Sequence, residues 1–274
     1  MPQNNEKWIE QVRQFCLNYN IPLEYLSEIL SEPKVIPMIR GKAFEFSAML
    51  LLQNILPKSD WVVDKLVMNA QFGFHDMDVR VTHKRTQKVI GVECKLAAKG
   101  SFQILKNEDA QIKVKCMRSR TLGDSKVKEL APKIGVSEAL LKIHNDQYIP
   151  SDFDVVITSI ANAFYTTNDE TDLFEWQPTT KAIAFLERLS GITDLEKLQS
   201  FAYNQMYLAT SADLAITLQN EHKCSRKTCP KPKNCGFIPN YPIMTFSKNE
   251  TAPNSTWVAV ENAVSFFTKM VGGN

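Results

Sequence analysis

The feature that most constrains the fold is a run of three strand-like segments between residues 61 and 97. Residues 61–68 and 89–97 are rich in valine and other β-branched or aromatic residues, and residues 74–82 alternate between apolar and polar side chains. Apolar residues at helical spacing precede these segments and end before Pro57. Short connections favour antiparallel pairing of consecutive strands, so we expect a helix followed by an antiparallel meander.

Downstream patterns extend this order and indicate how the chain is divided. A helix capped by Ser137 and a buried strand complete the order helix, strand, strand, strand, helix, strand over residues 40–160. Residues 1–39 are predicted to form helices that pack on this core. Residues 161–274 are predicted to be mostly helical, with a cysteine-rich basic loop at about 222–240. The whole chain can also form one compact domain.

Composition excludes several classes of protein. The chain has 44% hydrophobic and 23% charged residues, which is ordinary for a soluble globular protein, and its apolar runs are far shorter than the roughly 18 residues that span a bilayer. The first residues carry no apolar stretch behind a basic start, which predicts no secretory signal and a reducing, cytoplasmic compartment. The six cysteines are then predicted to be thiols or metal ligands.

Two acids and a lysine on neighbouring predicted strands form the first candidate site. Alternate residues of a strand project from one face, so Asp76 and Asp78 share a face of the second strand, and Glu93 and Lys95 share a face of the third. If these strands pair, Asp78, Glu93 and Lys95 converge. Two carboxylates there bind Mg²⁺ and leave it waters for a phosphate substrate. The lysine ammonium can hold the attacking water and offset charge in the transition state.

A third acid, Glu45, lies on the preceding predicted helix. The other positions of its helical stripe are apolar or small: Gly41, Met49, Leu52 and Leu56. Glu45 therefore points inward, where an unpaired carboxylate is costly and a metal ion would remove that cost. The alternative interpretation of the acids and Lys95 is a solvated ion-pair ladder on an exposed sheet face, and that alternative leaves Glu45 unexplained.

The spacing of fifteen residues from Asp78 to Glu93-Cys94-Lys95 resembles the motif of the PD-(D/E)xK nuclease superfamily. The predicted order of elements over residues 40–160 is similar to that family too, and Glu45 matches the helix glutamate that often completes its metal site. The first acid lacks the family's usual preceding proline, and Asp76 competes with Asp78 for the metal. The apolar residue before Asp78 and the strand after it favour Asp78.

The resemblance implies a restriction-endonuclease-like α/β (α+β) core, a central mixed β-sheet flanked by helices, with added helical elements for recognition. It implies Mg²⁺-dependent hydrolysis of phosphodiester bonds that leaves 5′-phosphates. It also implies that Asp78, Glu93 and the backbone carbonyl of Cys94 bind the cation, that Glu45 is an additional group there, and that Asp76 is the alternative to Asp78. Lys95 would orient the nucleophile. Size and the absence of motor or methyltransferase motifs favour a type II restriction enzyme, a site-specific nuclease of double-stranded DNA. Such an enzyme implies a homodimer, a separate cognate methyltransferase and a bacterial or archaeal cytoplasm.

Two other functions fit the same residues. A structure-specific repair or junction nuclease would use this chemistry but read DNA shape rather than sequence. A catalytically silent nucleic-acid-binding protein could keep the fold, although nothing about folding requires Asp78, Glu93 and Lys95 together.

A basic segment follows the third predicted strand. Six lysines and arginines lie between residues 113 and 128, and Asp124 is the only acidic residue in that range. Such a segment beside a metal site suits a phosphate backbone; the alternative is a solvated loop and helix face. The predicted DNA contacts are Lys99, Ser101, Lys113, Lys115, Arg118, Arg120, Arg226 and Lys227.

The cysteine-rich loop carries the second candidate site. One nitrogen and three sulfurs make the ligand set of a tetrahedral Zn²⁺ site, offered here by His222, Cys224, Cys229 and Cys235. The loop lacks a close C-x₂-C pair, so iron–sulfur ligation and unligated thiols are alternatives. Structural zinc would make the loop a rigid basic finger. The two histidines in polar segments, His83 and His144, are predicted to lie on the surface.

Overall fold

The computed structural model describes residues 5–65, 77–220, 222–254 and 256–272, with side chains from Lys7 onward. Its helices are α1 (Asn5–Asn18), α2 (Leu26–Ser31), α3 (Ile36–Ile55), α4 (Asp124–Lys133), α5 (Glu138–Ile143), α6 (Thr180–Ser190), α7 (Leu195–Asn204), α8 (Ser211–Leu214) and α9 (Ala263–Met270). Its strands are β1 (Trp61–Asp64), β2 (Val79–His83), β3 (Val89–Cys94), β4 (Gln103–Ile104), β5 (Ala110–Lys113), β6 (Val155–Ser159), β7 (Tyr165–Thr167), β8 (Phe174–Trp176), β9 (Met206–Thr210), β10 (Ile243–Phe246) and β11 (Val258–Ala259). Within these ranges, no helix is both long and apolar enough to cross a membrane. Asp76 lies outside the described residues.

A mixed sheet with the strand order β1-β2-β3-β6-β9-β11 forms the centre of the fold. Strands β1, β2 and β3 pair antiparallel, β6 lies parallel to β3, and β9 and β11 add antiparallel pairs. The predicted meander is confirmed, as is the mixed sheet flanked by helices. The parallel pair is possible because a long segment containing α4 and α5 connects β3 to β6, whereas adjacent hairpin strands must run antiparallel.

Helix α3 covers one face of the central sheet. Its buried residues Phe44, Ala48 and Leu52 recur at every fourth position, and they belong to one apolar cluster with the valines of β2 and β3 and with Phe267 of α9. Alternate residues of β2 are buried, which supplies the matching apolar face. Full burial of one such side chain contributes about 1.5–3 kcal/mol. This packing holds α3, and with it Glu45, against the sheet.

The opposite face packs on α6, α7 and a small antiparallel sheet with the order β10-β5-β4. Aromatic rings fill this interface: the ring of Phe185 lies 5.1 Å from that of Phe102 and 5.1 Å from that of Phe246. The β7–β8 hairpin closes the cluster through Trp176, whose ring lies 5.6 Å from that of Phe164.

The part of the chain after residue 160 also contributes to the central sheet, through β9 and β11. Residues 206–209 are all buried, because β9 lies between β6 and β11 and both of its faces are covered. A third apolar cluster forms where α4 and α5 pack on the cysteine-rich loop, and it includes Leu141, Cys229 and Phe237. The predicted cap of α5 is confirmed, since the Ser137 side chain accepts a hydrogen bond from the Leu140 backbone N–H.

Candidate active site and metal centre

Asp78 and Glu93 meet where β2 begins and β3 ends. Val79 pairs with Val92, so extending this register by one residue brings Asp78 opposite Glu93. The Asp78 Oδ2 accepts a hydrogen bond of 2.9 Å from the backbone N–H of Cys94. That bond crosses the two strands and holds the Asp78 carboxylate beside Glu93.

Lys95 and Tyr148 both bind the Glu93 carboxylate. The Lys95 Nζ lies 2.7 Å from Glu93 Oε1, and the Tyr148 hydroxyl donates to the same oxygen at 2.9 Å. The Lys95 Nζ also lies 5.2 Å from the centre of the Tyr148 ring, within the range of a cation–π interaction. Both side chains of the ion pair are largely shielded from solvent. The exposed ion-pair ladder considered from the sequence does not describe this arrangement.

Glu45 points inward as predicted and is only 7% exposed, but lysines compensate its charge. Lys42 Nζ donates to both carboxylate oxygens at 2.8 and 2.9 Å, and Lys65 Nζ binds Oε2. Lys65 also donates to the backbone carbonyl of Asp78 at 3.1 Å, which joins Glu45 to the Asp78–Glu93 pair. The burial of Glu45 therefore does not require a metal ion, because a buried charge is tolerated when it is paired and hydrogen-bonded.

Burial and neighbouring charges perturb the ionisation of Asp78 and Lys95. Burial raises the pKa of Asp78 to about 7, repulsion from Glu93 and Glu45 adds to the effect, and the Cys94 N–H opposes it. Burial alone would lower the pKa of Lys95, but attraction to Glu93 and hydrogen bonds to Glu93 and Tyr148 outweigh it, so this pKa lies above the ordinary lysine value. Lys95 is therefore charged at neutral pH, whereas the pKa of the nearby Asp78 carboxyl lies close to neutral pH.

The raised pKa of Asp78 predicts a pH-dependent stability in buffer without added divalent cations. The unfolded chain releases this proton near about pH 4, and the folded chain does so at about 7. Between these values the folded state binds more protons, so this contribution to the free energy of unfolding falls as the pH rises from 4 to 7. We expect Asp78→Asn to remove the decline in denaturant titrations at pH 5 and pH 8.

The exposed aspartate Asp169 provides the control for that series, because Asp169→Asn should keep the wild-type dependence. Added Mg²⁺ should raise wild-type stability at pH 8 more than at pH 5, since protonated Asp78 is a poor ligand. Equal slopes for wild type and Asp78→Asn would contradict the prediction.

The predicted DNA contacts divide into two groups. Arg118 is tied to Asp152 and donates from Nε to the Gln147 carbonyl at 2.9 Å. Arg226 pairs with Asp146. Both guanidinium groups are held by carboxylates of the protein, with Arg118 largely shielded and Arg226 half-buried, so neither is positioned to reach a base. The exposed members are Lys99, Lys113, Lys115, Arg120 and Lys227. The Lys99 Nζ also lies 4.7 Å from the ring centre of Phe174, and the partly buried Ser101 donates to the Lys113 carbonyl.

The cysteine-rich loop forms a metal-ligand cluster with His144, not with His222. Ligand atoms of His144, Cys224, Cys229 and Cys235 all lie within 4.8 Å of one another. In a tetrahedral zinc site the ligands lie about 2.0–2.3 Å from the ion, so a modest contraction would close the cluster. This cluster could hold a metal ion such as zinc. The prediction that His222 is a ligand is wrong, since its Nε2 lies 3.1 Å from the Asp213 carbonyl. Residues that are close in sequence need not point toward the same place in a loop.

One ring nitrogen of His144 is held by the protein, and the other is available for a metal ion. His144 is fully buried, contrary to its predicted surface position, and its Nε2 has no hydrogen-bond partner. The Gln147 amide donates to the Ile238 carbonyl at 2.8 Å, which leaves the amide oxygen of Gln147 to accept from His144 Nδ1. Nδ1 therefore carries the proton, and Nε2 keeps its lone pair for an ion. Metal-ligating histidines usually have such an outer partner.

The cluster's surroundings are apolar on the side of the protein core. The rings of His144 and Phe237 stack with their centres 4.2 Å apart, and Cys229 and Cys235 are buried. Burial raises the pKa of Cys235 to about 12 and also raises the pKa of Cys224. Without a cation these thiols are neutral; a bound metal ion deprotonates coordinating thiols outright.

Comparison with protein families, curated proteins and solved structures finds no match to this chain. Sequence reasoning did not identify Lys42, Lys65, Tyr148 and His144 as site residues. Tyr148 and His144 lie in the irregular segment between α5 and β6, where no periodic pattern indicates which way a side chain points.

Proposed function

We propose that this protein is a Mg²⁺-dependent endonuclease that cleaves double-stranded DNA at specific sites, similar to type II restriction enzymes of the PD-(D/E)xK superfamily. The observation that carries the proposal is the convergence of Asp78, Glu93 and Lys95. The Asp78 carboxylate binds the backbone of Cys94, and Lys95 lies 2.7 Å from Glu93. Folding alone does not call for two partly buried acids and a lysine at one point, since removing charges from water is costly.

The donor set suits a hard divalent cation. Asp78, Glu93 and the Cys94 carbonyl offer oxygens. Burial and, after it, repulsion from Glu93 raise the pKa of Asp78, and a bound cation would stabilise the carboxylate against both effects. Glu45 is close enough to raise the pKa of Asp78, but its own carboxylate binds Lys42 and Lys65. Mg²⁺, when bound, supplies positive charge for the phosphate oxygens.

In this proposal Lys95 supplies the permanent positive charge that orients the attacking water. Its ammonium stays protonated because its pKa is raised by Glu93 and Tyr148 despite burial. It can therefore orient a water for in-line attack and stabilise the charge that develops on the phosphate. The expected product carries a 5′-phosphate.

The order of elements supports a restriction-endonuclease-like core. Helix α3 precedes the antiparallel strands β1, β2 and β3, and β6 follows parallel to β3. The exposed lysines Lys113 and Lys115 lie on the segment that follows β3 and suit a DNA backbone. A restriction enzyme in a bacterial or archaeal cytoplasm would be accompanied by a separate cognate methyltransferase.

We further propose that the His/Cys cluster binds structural Zn²⁺. Three sulfurs and one imidazole nitrogen match the closed, four-ligand sites typical of structural zinc. An iron–sulfur cluster is less suited, since His144 approaches as a single nitrogen ligand among three cysteines.

Incubation of the protein with plasmid DNA and Mg²⁺ tests the nuclease function. Discrete bands that disappear without Mg²⁺ support a site-specific nuclease. A smear, or cleavage of four-way junctions alone, favours the repair or junction nuclease. DNA binding without cleavage of any substrate, across Mg²⁺ and Mn²⁺ concentrations, would establish the silent DNA-binding protein instead.

A homodimer is part of the proposal, and an exposed apolar surface supports it. In the described part of the chain, fourteen exposed large hydrophobic side chains lie between residues 8 and 50, against eight elsewhere. We call these fourteen the N-terminal apolar surface: Trp8, Ile9, Val12, Phe15, Leu17, Tyr19, Leu23, Tyr25, Ile29, Leu30, Met38, Ile39, Phe46 and Leu50. Soluble monomers rarely expose such a concentration of apolar side chains.

The size and charge of the N-terminal apolar surface suit a protein partner. Half-exposed side chains of this number present on the order of 1,000 Å² of apolar area, against about 800 Å² that each partner buries in a standard interface. Residues 5–34 carry five acidic and three basic side chains, which disfavours DNA as the occupant. A second copy of the chain satisfies both conditions, and symmetric dimers are the commonest oligomers.

Light scattering tests this dimer. We expect wild type to have twice the 31.1 kDa chain mass at micromolar concentration, and Trp8→Asp with Phe15→Asp to be monomeric, because two buried charges oppose association. Leu218→Asp alters an exposed apolar residue outside the surface and should remain dimeric. A wild-type monomer at tens of micromolar would contradict the dimer.

A further inference from the structure

Two segments of the chain leave the metal-ligand cluster side by side, and one of them reaches the Glu93 carboxylate. One runs from His144 to Tyr148, so a ligand residue and the tyrosine that binds Glu93 are only four positions apart. The other runs from Cys235 to Ile238 and begins at a second ligand. The two candidate sites are therefore adjacent in the fold, although Glu93 and Cys235 are far apart in sequence.

Hydrogen bonds join the two segments side by side. The Ile238 backbone N–H donates to the Tyr148 carbonyl at 2.8 Å, and the Gln147 side chain donates to the Ile238 carbonyl at 2.8 Å. Phe237 stacks on His144 with ring centres 4.2 Å apart. Displacement of one segment must displace the other.

Arg118 braces the segment that ends at Tyr148. Its backbone N–H donates to the Asp146 carbonyl at 3.0 Å, its Nε donates to the Gln147 carbonyl at 2.9 Å, and its guanidinium lies 4.9 Å from the centre of the Tyr148 ring. The opposite end of the segment meets the cysteine-rich loop through the Arg226–Asp146 ion pair, the stacking of Phe237 on His144 and the ligand cluster.

We propose that metal binding at the cluster of His144 and three cysteines sets the position of Tyr148, and that Tyr148 in turn holds Glu93 and Lys95 in place for a divalent cation. This inference rests on the proposed function, which makes Glu93 part of a binding site for a divalent cation. The metal ion joins His144 to Cys235 at one end of the paired segments, and the Tyr148 hydroxyl transmits their position to Glu93 Oε1 at the other. Tyr148 is a positioning residue, because it acts through Glu93.

The requirement for a metal ion follows from the chemistry of the ligands. Without a metal ion, thiols offer only weak hydrogen bonds to one another or to His144. Four metal–ligand bonds would replace those contacts by a rigid tetrahedral junction between the two segments and the cysteine-rich loop. Outer residues that position a ligand typically change metal affinity or activity about 10- to 100-fold when they are replaced.

Binding of Mn²⁺ alone, followed by electron paramagnetic resonance, tests the coupling without DNA. We expect Tyr148→Phe to weaken Mn²⁺ binding about 10-fold or more while its zinc content stays at one ion per chain. Removing zinc from the wild type should weaken Mn²⁺ binding to a similar extent, and removing zinc from Tyr148→Phe should add little, because both changes act on one path. Tyr241→Phe, which alters an exposed tyrosine, is the matched control.

Additive losses from the two changes would overturn the inference, and so would wild-type Mn²⁺ affinity in Tyr148→Phe. If zinc removal unfolds the chain, Cys224→Ser, which replaces the partly exposed ligand, takes its place in the cycle. Mn²⁺ binding with the expected coupling but without DNA cleavage would reject the proposed function and keep the inference.

If the wild type binds no Mn²⁺, the cation site of the proposed function is rejected. The coupling between the metal-ligand cluster and the Tyr148–Glu93 contact is then measured by the free energy of unfolding. Tyr148→Phe and Glu93→Gln should then be non-additive in the free energy of unfolding when zinc is bound, and additive when it is removed. Additivity in the zinc-bound protein would overturn the inference.

Discussion

Replacement of Lys95 by methionine is expected to slow Mg²⁺-dependent DNA cleavage about 100- to 1,000-fold, the typical cost of removing one group that stabilises transition-state charge. Methionine keeps an unbranched stem of similar length, so the packing against Tyr148 is largely preserved. The ammonium that lies 2.7 Å from Glu93 is lost. DNA binding should remain near the wild-type level, because Lys95 is largely shielded and contributes little to the exposed basic surface.

The rate is measured as loss of supercoiled plasmid in single-turnover conditions, with binding followed by filter retention in Ca²⁺. Lys181→Met, which removes an exposed lysine on α6, serves as the matched control and should cleave like wild type. Equal rates for Lys95→Met and wild type would remove Lys95 from the proposed chemistry. Parallel losses of binding and cleavage would make it a DNA contact instead.

Loss of His144 is expected to have the largest effect on stability. His144→Ala removes the nitrogen ligand from the cluster and leaves three thiols around a cavity, so we expect zinc content to fall from one ion per chain to nearly none. Structural zinc contributes about 10–16 kcal/mol of apparent binding free energy in small zinc domains. Even a fraction of that value would lower the melting temperature by on the order of 10 °C, since 1 kcal/mol corresponds to about 2–4 °C for a chain of this size class.

His222→Ala provides a discriminating control, because the sequence alone nominated His222 and the structure selects His144. His222→Ala should keep one zinc ion per chain and melt within a few degrees of wild type. Metal analysis measures the zinc content of the two variants, and calorimetry measures their melting temperatures. A wild-type protein without zinc, or equal zinc contents in both variants, would refute the assignment of His144.

The meander of β1, β2 and β3 could be predicted from the sequence because its determinants are local. Alternation of apolar and polar residues specifies which face of a strand is buried, and short connections specify antiparallel pairing. The same two rules placed Asp78 and Glu93 on one face and close together, as the hydrogen bond between Asp78 and the Cys94 backbone illustrates. The cap at Ser137 is local as well, since it needs only the next helical turn.

Features that depend on distant segments were not accessible in this way. The strand β9 enters the central sheet between β6 and β11, and its continuous apolar run does not distinguish a buried strand from a buried helix. Glu45 was correctly predicted to point inward, but its partner Lys65 comes from the end of β1, and only the packing of α3 on the sheet brings the two together.

The sequence by itself determined the local pieces: which segments become strands and helices, which faces are buried, and that two acids and a lysine share one face of adjacent strands. Tertiary structure alone decided which group completes each site. His144 replaces His222 because α5 packs on the cysteine-rich loop, and Tyr148 reaches Glu93 because β6 returns beside β3. Periodicity constrains a side chain relative to its own helix or strand, whereas a site is made of side chains from several elements, whose relative positions depend on the packing of the whole core.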